Sequence, residues 1–139
     1  LAHPLDDPAL LNRTRHCVDA IKRAHLSKYT AYDPDTPAPD ASYVLVIDQT
    51  AGDASVTASR ADRNTFLEML FVAREDHPNA HILIKTHPET AQGHREGHYR
   101  DADLSDNVAL FSDPISPHHL FAGAIAVYTV SSQYGFEAI

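Results

Sequence analysis

Two periods alternate along the chain. Short runs that are apolar on both faces recur at Tyr43-Val44-Leu45-Val46-Ile47, His81-Ile82-Leu83-Ile84-Lys85, Val108-Ala109-Leu110-Phe111 and Ala124 to Val130. Runs of this kind predict strands of a buried parallel sheet rather than of a half-exposed one. Between them the spacing switches to three and four. Phe66, Met69, Leu70 and Ala73 share one face of a helix expected from about Asp62 to Asp76, and Ser116-Pro117 opens a short helix in the order of cap and first turn. A further helix is expected to follow Ser131-Ser132. Ahead of the first strand, Leu10, Thr14, Cys17, Val18, Ile21 and Ala24 give an amphipathic helix over 8–26, with Asp7-Pro8 at its start. Residues 30–42 carry three prolines and no apolar period, which predicts a connector. The chain is therefore expected to hold a leading helix and connector in residues 1–42 and an α/β domain in 43–139, with a mostly parallel sheet flanked by helices.

Composition narrows the function classes. The net charge of −8 argues against binding a nucleic-acid backbone, although ten histidines and a few local donors leave room for a small anionic ligand. No run approaches the ~18 apolar residues of a membrane span. Cys17 is the single cysteine, so neither an intrachain disulfide nor a cysteine-based zinc site is available, and a cytoplasmic setting is expected. The sequence begins at Leu1 and ends at Gly135-Phe136-Glu137-Ala138-Ile139 inside helix-like sequence, as expected of a piece of a longer protein truncated at its C-terminus.

In an open α/β sheet, ligands bind beyond the carboxyl ends of the strands. Polar residues gather at those points: Asp48-Gln49-Thr50-Ala51-Gly52-Asp53-Ala54-Ser55 after the first strand, Lys85-Thr86-His87-Pro88-Glu89 after the second, Ser112-Asp113 after the third, and Thr129, Ser131, Ser132 and Gln133 after the fourth. Each has a chemical and a plain reading. Ser131-Ser132 can present amides and hydroxyls to a phosphate, or simply cap a helix. Proline holds its predecessor extended, so His87 projects in a fixed direction, either toward a phosphate or leaving group or merely into a turn. Gly52 allows a sharp turn that aims Asp53, which can attack an anomeric carbon or cap local amides. His94 and His98 have metal-ligand spacing only if helical; Gly93 and Gly97 argue against that, so both are expected to be solvated loop residues. His118-His119 are expected at the surface, and Arg13, Arg15, Lys22 and Arg23 on a solvated face of the leading helix. Walker, GxGxxG, GxSxG and HExxH motifs are missing from the sequence.

The three segments Asp48–Ser55, Ile84–Glu89 and Val127–Ala138, preceded by Leu26-Ser27-Lys28-Tyr29, resemble the capsule polysaccharide β-Kdo transferases of Gram-negative bacteria over most of residues 26–139. The resemblance implies one Rossmann-like half of a two-domain GT-B glycosyltransferase. It further implies CMP-Kdo as donor substrate, a retaining reaction, no metal and no other cofactor. Carried over, Asp53 is the favoured nucleophile and Asp48 the second. His87 contacts the donor phosphate or cytidine, Ser131 and Ser132 bind phosphate, and Gln49, Lys85, Gln133 and Glu137 line the same pocket. A glycolipid or polysaccharide acceptor, the missing acceptor half of the same parent chain, and a peripheral inner-membrane location are the implied partners and setting. The isolated piece is then expected to transfer nothing, because one wall of the cleft is absent. Two other classes fit the same pattern: a non-catalytic Rossmann-like module in capsule assembly or export, and a nucleotide-sugar hydrolase or epimerase.

Overall fold

A computed structural model of the protein describes residues 6–33 and 35–138. The start of the leading segment (1–5), Pro34 of the connector and Ile139 of the last predicted helix lie outside the described residues. Four parallel strands form one sheet in the order β3-β2-β1-β4: β1 Tyr43–Ile47, β2 His81–Lys85, β3 Val108–Phe111 and β4 Ala124–Tyr128. The helices are α1 Pro8–Arg23, α2 Ala54–Ala58, α3 Arg63–Asp76, α4 Pro88–Ala91, α5 Pro117–Gly123 and α6 Tyr134–Glu137, with a 3₁₀ turn at Asp101–Asp103. The expected α/β class is what forms.

β1 is buried at all five positions because it has neighbours on both edges and helices on both faces. Its alternating side chains feed two cores. Val44 and Val46 join Phe66, Leu70 and Ala73 of α3, Ile82 and Ile84 of β2, Val108 and Tyr99. Tyr43, Leu45 and Ile47 join Ile115, Leu120 of α5 and Tyr134 of α6. α3 starts with a capping box in which the Asp62 side chain takes the Thr65 amide and the Thr65 hydroxyl faces the Asp62 amide.

Three boundaries differ from the sequence pattern. β4 ends at Tyr128 rather than Val130, the last residue with a ladder partner on β1. α6 begins at Tyr134, so Ser131 and Ser132 lie in the turn before it. α1 stops at Arg23, and none of its residues is buried: Leu10, Val18 and Ile21 are exposed. The segment after it is tied down nonetheless. The His25 ring meets the Ser116 hydroxyl at 2.7 Å, and the Asp33 amide donates to the Pro114 carbonyl at 2.6 Å.

Candidate functional site

β1 is the switch point of the sheet: its successor in sequence, β2, lies on one side and β4 on the other. The loops leaving β1 and β4 diverge there and open a crevice, the place where such sheets bind ligands. A pocket of about 720 Å³ occupies it. Asp53, Lys85, His87, Ser131, Ser132 and Gln133 all border this pocket. The expected convergence of strand-tip residues is therefore present.

Gly52 has φ +76°, a conformation open to glycine at little cost, and turns the chain so that Asp53 caps α2. Asp53 Oδ1 accepts from both the amide and the hydroxyl of Ser55 at 2.7 Å. These bonds, with a smaller pull from Lys28, hold its carboxyl below the ordinary range, so it is ionised at neutral pH. The capping and pocket roles coexist: both Ser55 bonds fall on Oδ1, so Oδ2 is the oxygen left to a ligand.

Lys85 closes the floor. It is 8% exposed, its ammonium donates to the Asp113 carbonyl at 2.8 Å and lies 5.3 Å from the Phe111 ring centre. No ion pair among the described residues includes it. Burial pushes its pKa down to about 8, against a partial lift from Asp113. His87 is extended ahead of Pro88, as expected, and its Nδ1 accepts from the Glu89 amide at 3.2 Å. With Nδ1 accepting, Nε2–H is the donor this ring can offer, and His87 borders the pocket.

A charged lysine held in this way costs stability, and the sign follows from its depressed pKa. The cost is fully present below about pH 8 and is relieved as pH rises from there toward the ordinary 10.5, where the unfolded chain still carries the proton. Lys85→Met is therefore expected to raise the melting temperature at pH 7, by an amount that shrinks between pH 8 and 10. Thermal scans of both proteins across that range check it.

Several expected site residues take other roles. Asp48 also borders the pocket, but its carboxylate is largely taken up by the protein. Its side chain is 2% exposed, and Oδ1 accepts from the Gln49 amide at 2.8 Å, the His98 amide at 3.1 Å and the His98 ring at 3.2 Å. Burial raises its pKa while these bonds oppose the rise. The carboxylate lies so close to Gly97 that a side chain there would collide with it. His98 is not a solvated loop residue: it is 7% exposed and stacks on Phe66 at 3.8 Å between ring centres. Glu137 turns away from the pocket and grips the leading segment, accepting from the Ser27 hydroxyl at 2.6 Å and the Lys28 amide at 2.9 Å. Gln49 borders the pocket, but the protein engages both ends of its carboxamide.

Ser131 and Ser132 are placed as expected, but their amides are occupied. The Ser131 amide donates to Gln49 Oε1 and the Ser132 amide to Thr129 Oγ1, each at 3.2 Å. Lys28 and Tyr29 complete the wall, with the Tyr29 hydroxyl 3.0 Å from Ser132 Oγ. No role was expected for them, since they precede the first strand by more than a dozen residues. The only signal was the Leu26-Ser27-Lys28-Tyr29 segment itself.

Fold and pocket together define an α/β domain with an anion-ready crevice at the switch point of a parallel sheet. The chain belongs to the capsule polysaccharide biosynthesis protein family, whose model matches residues 20–139. It is 36% identical over 135 residues to the capsule polysaccharide modification protein LipA of Neisseria meningitidis, in both a serogroup A and a serogroup B strain, covering 93% of this chain and 19% of each relative. It is 28% identical over 138 residues to the lipopolysaccharide-processing protein LpsZ of Rhizobium meliloti, covering 96% of this chain and 31% of the relative. Among solved structures it resembles Thermosulfurimonas dismutans KpsC, a β-Kdo 2,4 transferase, with TM-score 0.79 and 36% identity over 96% of this chain and 42% of the other. The chain thus spans about a fifth to two fifths of the relatives it matches.

Proposed function

We propose that this chain is the donor-binding part of a glycosyltransferase that moves Kdo from CMP-Kdo onto a glycolipid or polysaccharide acceptor in capsule synthesis. The observation that carries this reading is Lys85: a buried ammonium in no ion pair among the described residues, at the wall of a pocket of about 720 Å³. A charge so placed is costly unless an anion meets it. CMP-Kdo offers a phosphate and a sugar carboxylate. Lys85, His87 Nε2–H and the Ser131 and Ser132 hydroxyls supply donors of the matching kind. Similarity to a β-Kdo transferase at 36% identity supports the choice of sugar.

In this reading the reaction retains configuration. Asp53 Oδ2 attacks the anomeric carbon, the bond to the CMP phosphate breaks with its electron pair leaving on CMP, and an acceptor hydroxyl then displaces Asp53 from the opposite side, giving up its proton to the departed CMP phosphate. No metal or further cofactor is required. The acceptor wall comes from another part of the parent chain, working at the cytoplasmic side of the inner membrane as a peripheral protein. Among the described residues no helix is long and apolar enough to cross a membrane.

Titration of the protein with CMP, followed by backbone amide NMR, tests the donor site. Shifts are expected at Asp53, Lys85, His87, Ser131 and Ser132. Affinity should fall as pH rises through about 8, where Lys85 loses its proton. No shifts at millimolar CMP, or shifts confined to the far end of the sheet, would overturn the assignment.

A further inference from the structure

Gln49 is placed unlike the other pocket residues: all four of its polar groups are spent on the protein. Its amide donates to Asp48 Oδ1 at 2.8 Å, and its carbonyl faces the His98 ring nitrogen at 2.8 Å. Its side-chain Oε1 accepts from both the amide and the hydroxyl of Ser131 at 3.2 Å, and Nε2 donates to Ser55 Oγ at 3.1 Å. The residue is 6% exposed. The orientation of the carboxamide is chemically determined, because turned over it would set its NH₂ against the Ser131 N–H.

We infer that Gln49 is a positioning residue that joins the loop after β4 to the loop after β1 and aims the Ser55 hydroxyl proton at Asp53. The geometry runs in one direction. Ser131 fixes Oε1, which fixes Nε2. Nε2–H occupies a lone pair of Ser55 Oγ, and of the acceptors then within reach of the Ser55 hydrogen, Ser131 Oγ at 3.2 Å and Asp53 Oδ1 at 2.7 Å, the carboxylate is the nearer and the stronger. Behind it, Asp48 and His98 hold the Gln49 backbone, and Phe66 holds His98 by stacking. The pair at the tip of β1 thereby reaches the reacting loop without touching a ligand. The Gln49 Oε1 is spent on Ser131 and one Nε2–H on Ser55, so the part of this side chain that the geometry fixes is to set Asp53. This inference rests on Asp53 being the reacting carboxylate only for its catalytic meaning; the hydrogen-bond chain itself can be tested without donor.

The test is a carbon-detected NMR titration of the Asp53 carboxyl in this chain. Ser55→Ala removes the final bond, and the Asp53 midpoint is expected to rise by about half a pH unit or more. Gln49→Glu keeps the size and the acceptor facing Ser131 but cannot donate to Ser55; its carboxylate competes for the Ser55 proton and adds like charge nearby. Gln49→Ala removes the support without adding charge. Both Gln49 variants are expected to raise the midpoint, Gln49→Glu further. The inference is overturned if Ser55→Ala moves the Asp53 midpoint while folded Gln49→Ala and Gln49→Glu leave it at the wild-type value. It is also overturned if Ser55→Ala itself moves nothing, since the chain then ends before Asp53. CMP titrations of the same variants separate this from the donor reading: no binding of CMP by the wild type at millimolar concentration sinks that reading and leaves the Asp53 midpoints unaffected.

Discussion

Asp53→Asn, made in a form of the protein that transfers sugar, is expected to lower the transfer rate by about a thousandfold or more while leaving CMP affinity within about threefold. Asparagine keeps an oxygen able to accept from Ser55 and is as good a helix cap as aspartate, so α2 should stay formed. What disappears is the nucleophilic negative charge. Ser55 and Lys28 keep Asp53 ionised in the wild type, so its activity should not fall off on the acid side until well below neutral pH. A donor that keeps a good leaving group but has a slowed second step should trap a sugar on this residue, visible as added mass in a peptide containing Asp53. Full transfer by Asp53→Asn, or trapped mass elsewhere, would exclude it as nucleophile. Asp48 is the natural comparison. Asp48→Asn is expected to affect folding more than chemistry, because its carboxylate, although at the edge of the pocket, is bonded to the Gln49 and His98 amides.

Phe66→Ala is expected to cost about 3–5 kcal/mol of stability, against a total of about 5–15 for a domain of this kind. The ring is fully buried in the core under β1 and β2, stacks on His98 at 3.8 Å and meets Tyr99 edge-on at 6.1 Å. Its removal leaves a cavity and also frees His98, the residue that steadies Asp48 and the Gln49 carbonyl. Loss of stability and of site order should come together. At roughly 2–8 °C per kcal/mol, the melting temperature should drop by about 10 °C or more. Urea unfolding followed by circular dichroism measures the first, and broadening of the Gln49 and Asp53 amide signals the second. Leu10→Ala on α1 is the contrast. That side chain is 48% exposed, so the change should stay within about 0.5 kcal/mol.

The α/β fold was legible because its signals are local, and the capsule family through the resemblance of three short segments. Four apolar runs separated by helical spacing admit few arrangements other than a parallel sheet, since strands apolar on both faces need cover on both. The short polar segments after each strand must then share one end of that sheet. For this reason Asp53, Lys85, His87, Ser131 and Ser132 could be grouped from their places after strands, and the pocket brings them together. Gly52 before Asp53 and Pro88 after His87 marked their backbone geometry equally locally, through φ and the pre-proline restriction.

What tertiary structure alone decided was which polar groups meet one another. Asp48 and Asp53 stand five residues apart on one loop and look equivalent in sequence. Both border the pocket, but bonds to a segment fifty residues away tie up the buried Asp48 carboxylate, while Asp53 keeps one oxygen open to the pocket. His98 stands between Gly97 and Tyr99 in an otherwise polar stretch without an apolar period; its burial comes from a ring face on α3 and a carboxylate at the tip of β1. Glu137 and the Ser27-Lys28-Tyr29 segment were separated by more than a hundred residues, and only the packing of the leading segment against α6 turned one toward the other. Sequence fixes spacing along the chain, whereas burial and hydrogen-bond pairing depend on separations in space that the sheet order β3-β2-β1-β4 sets.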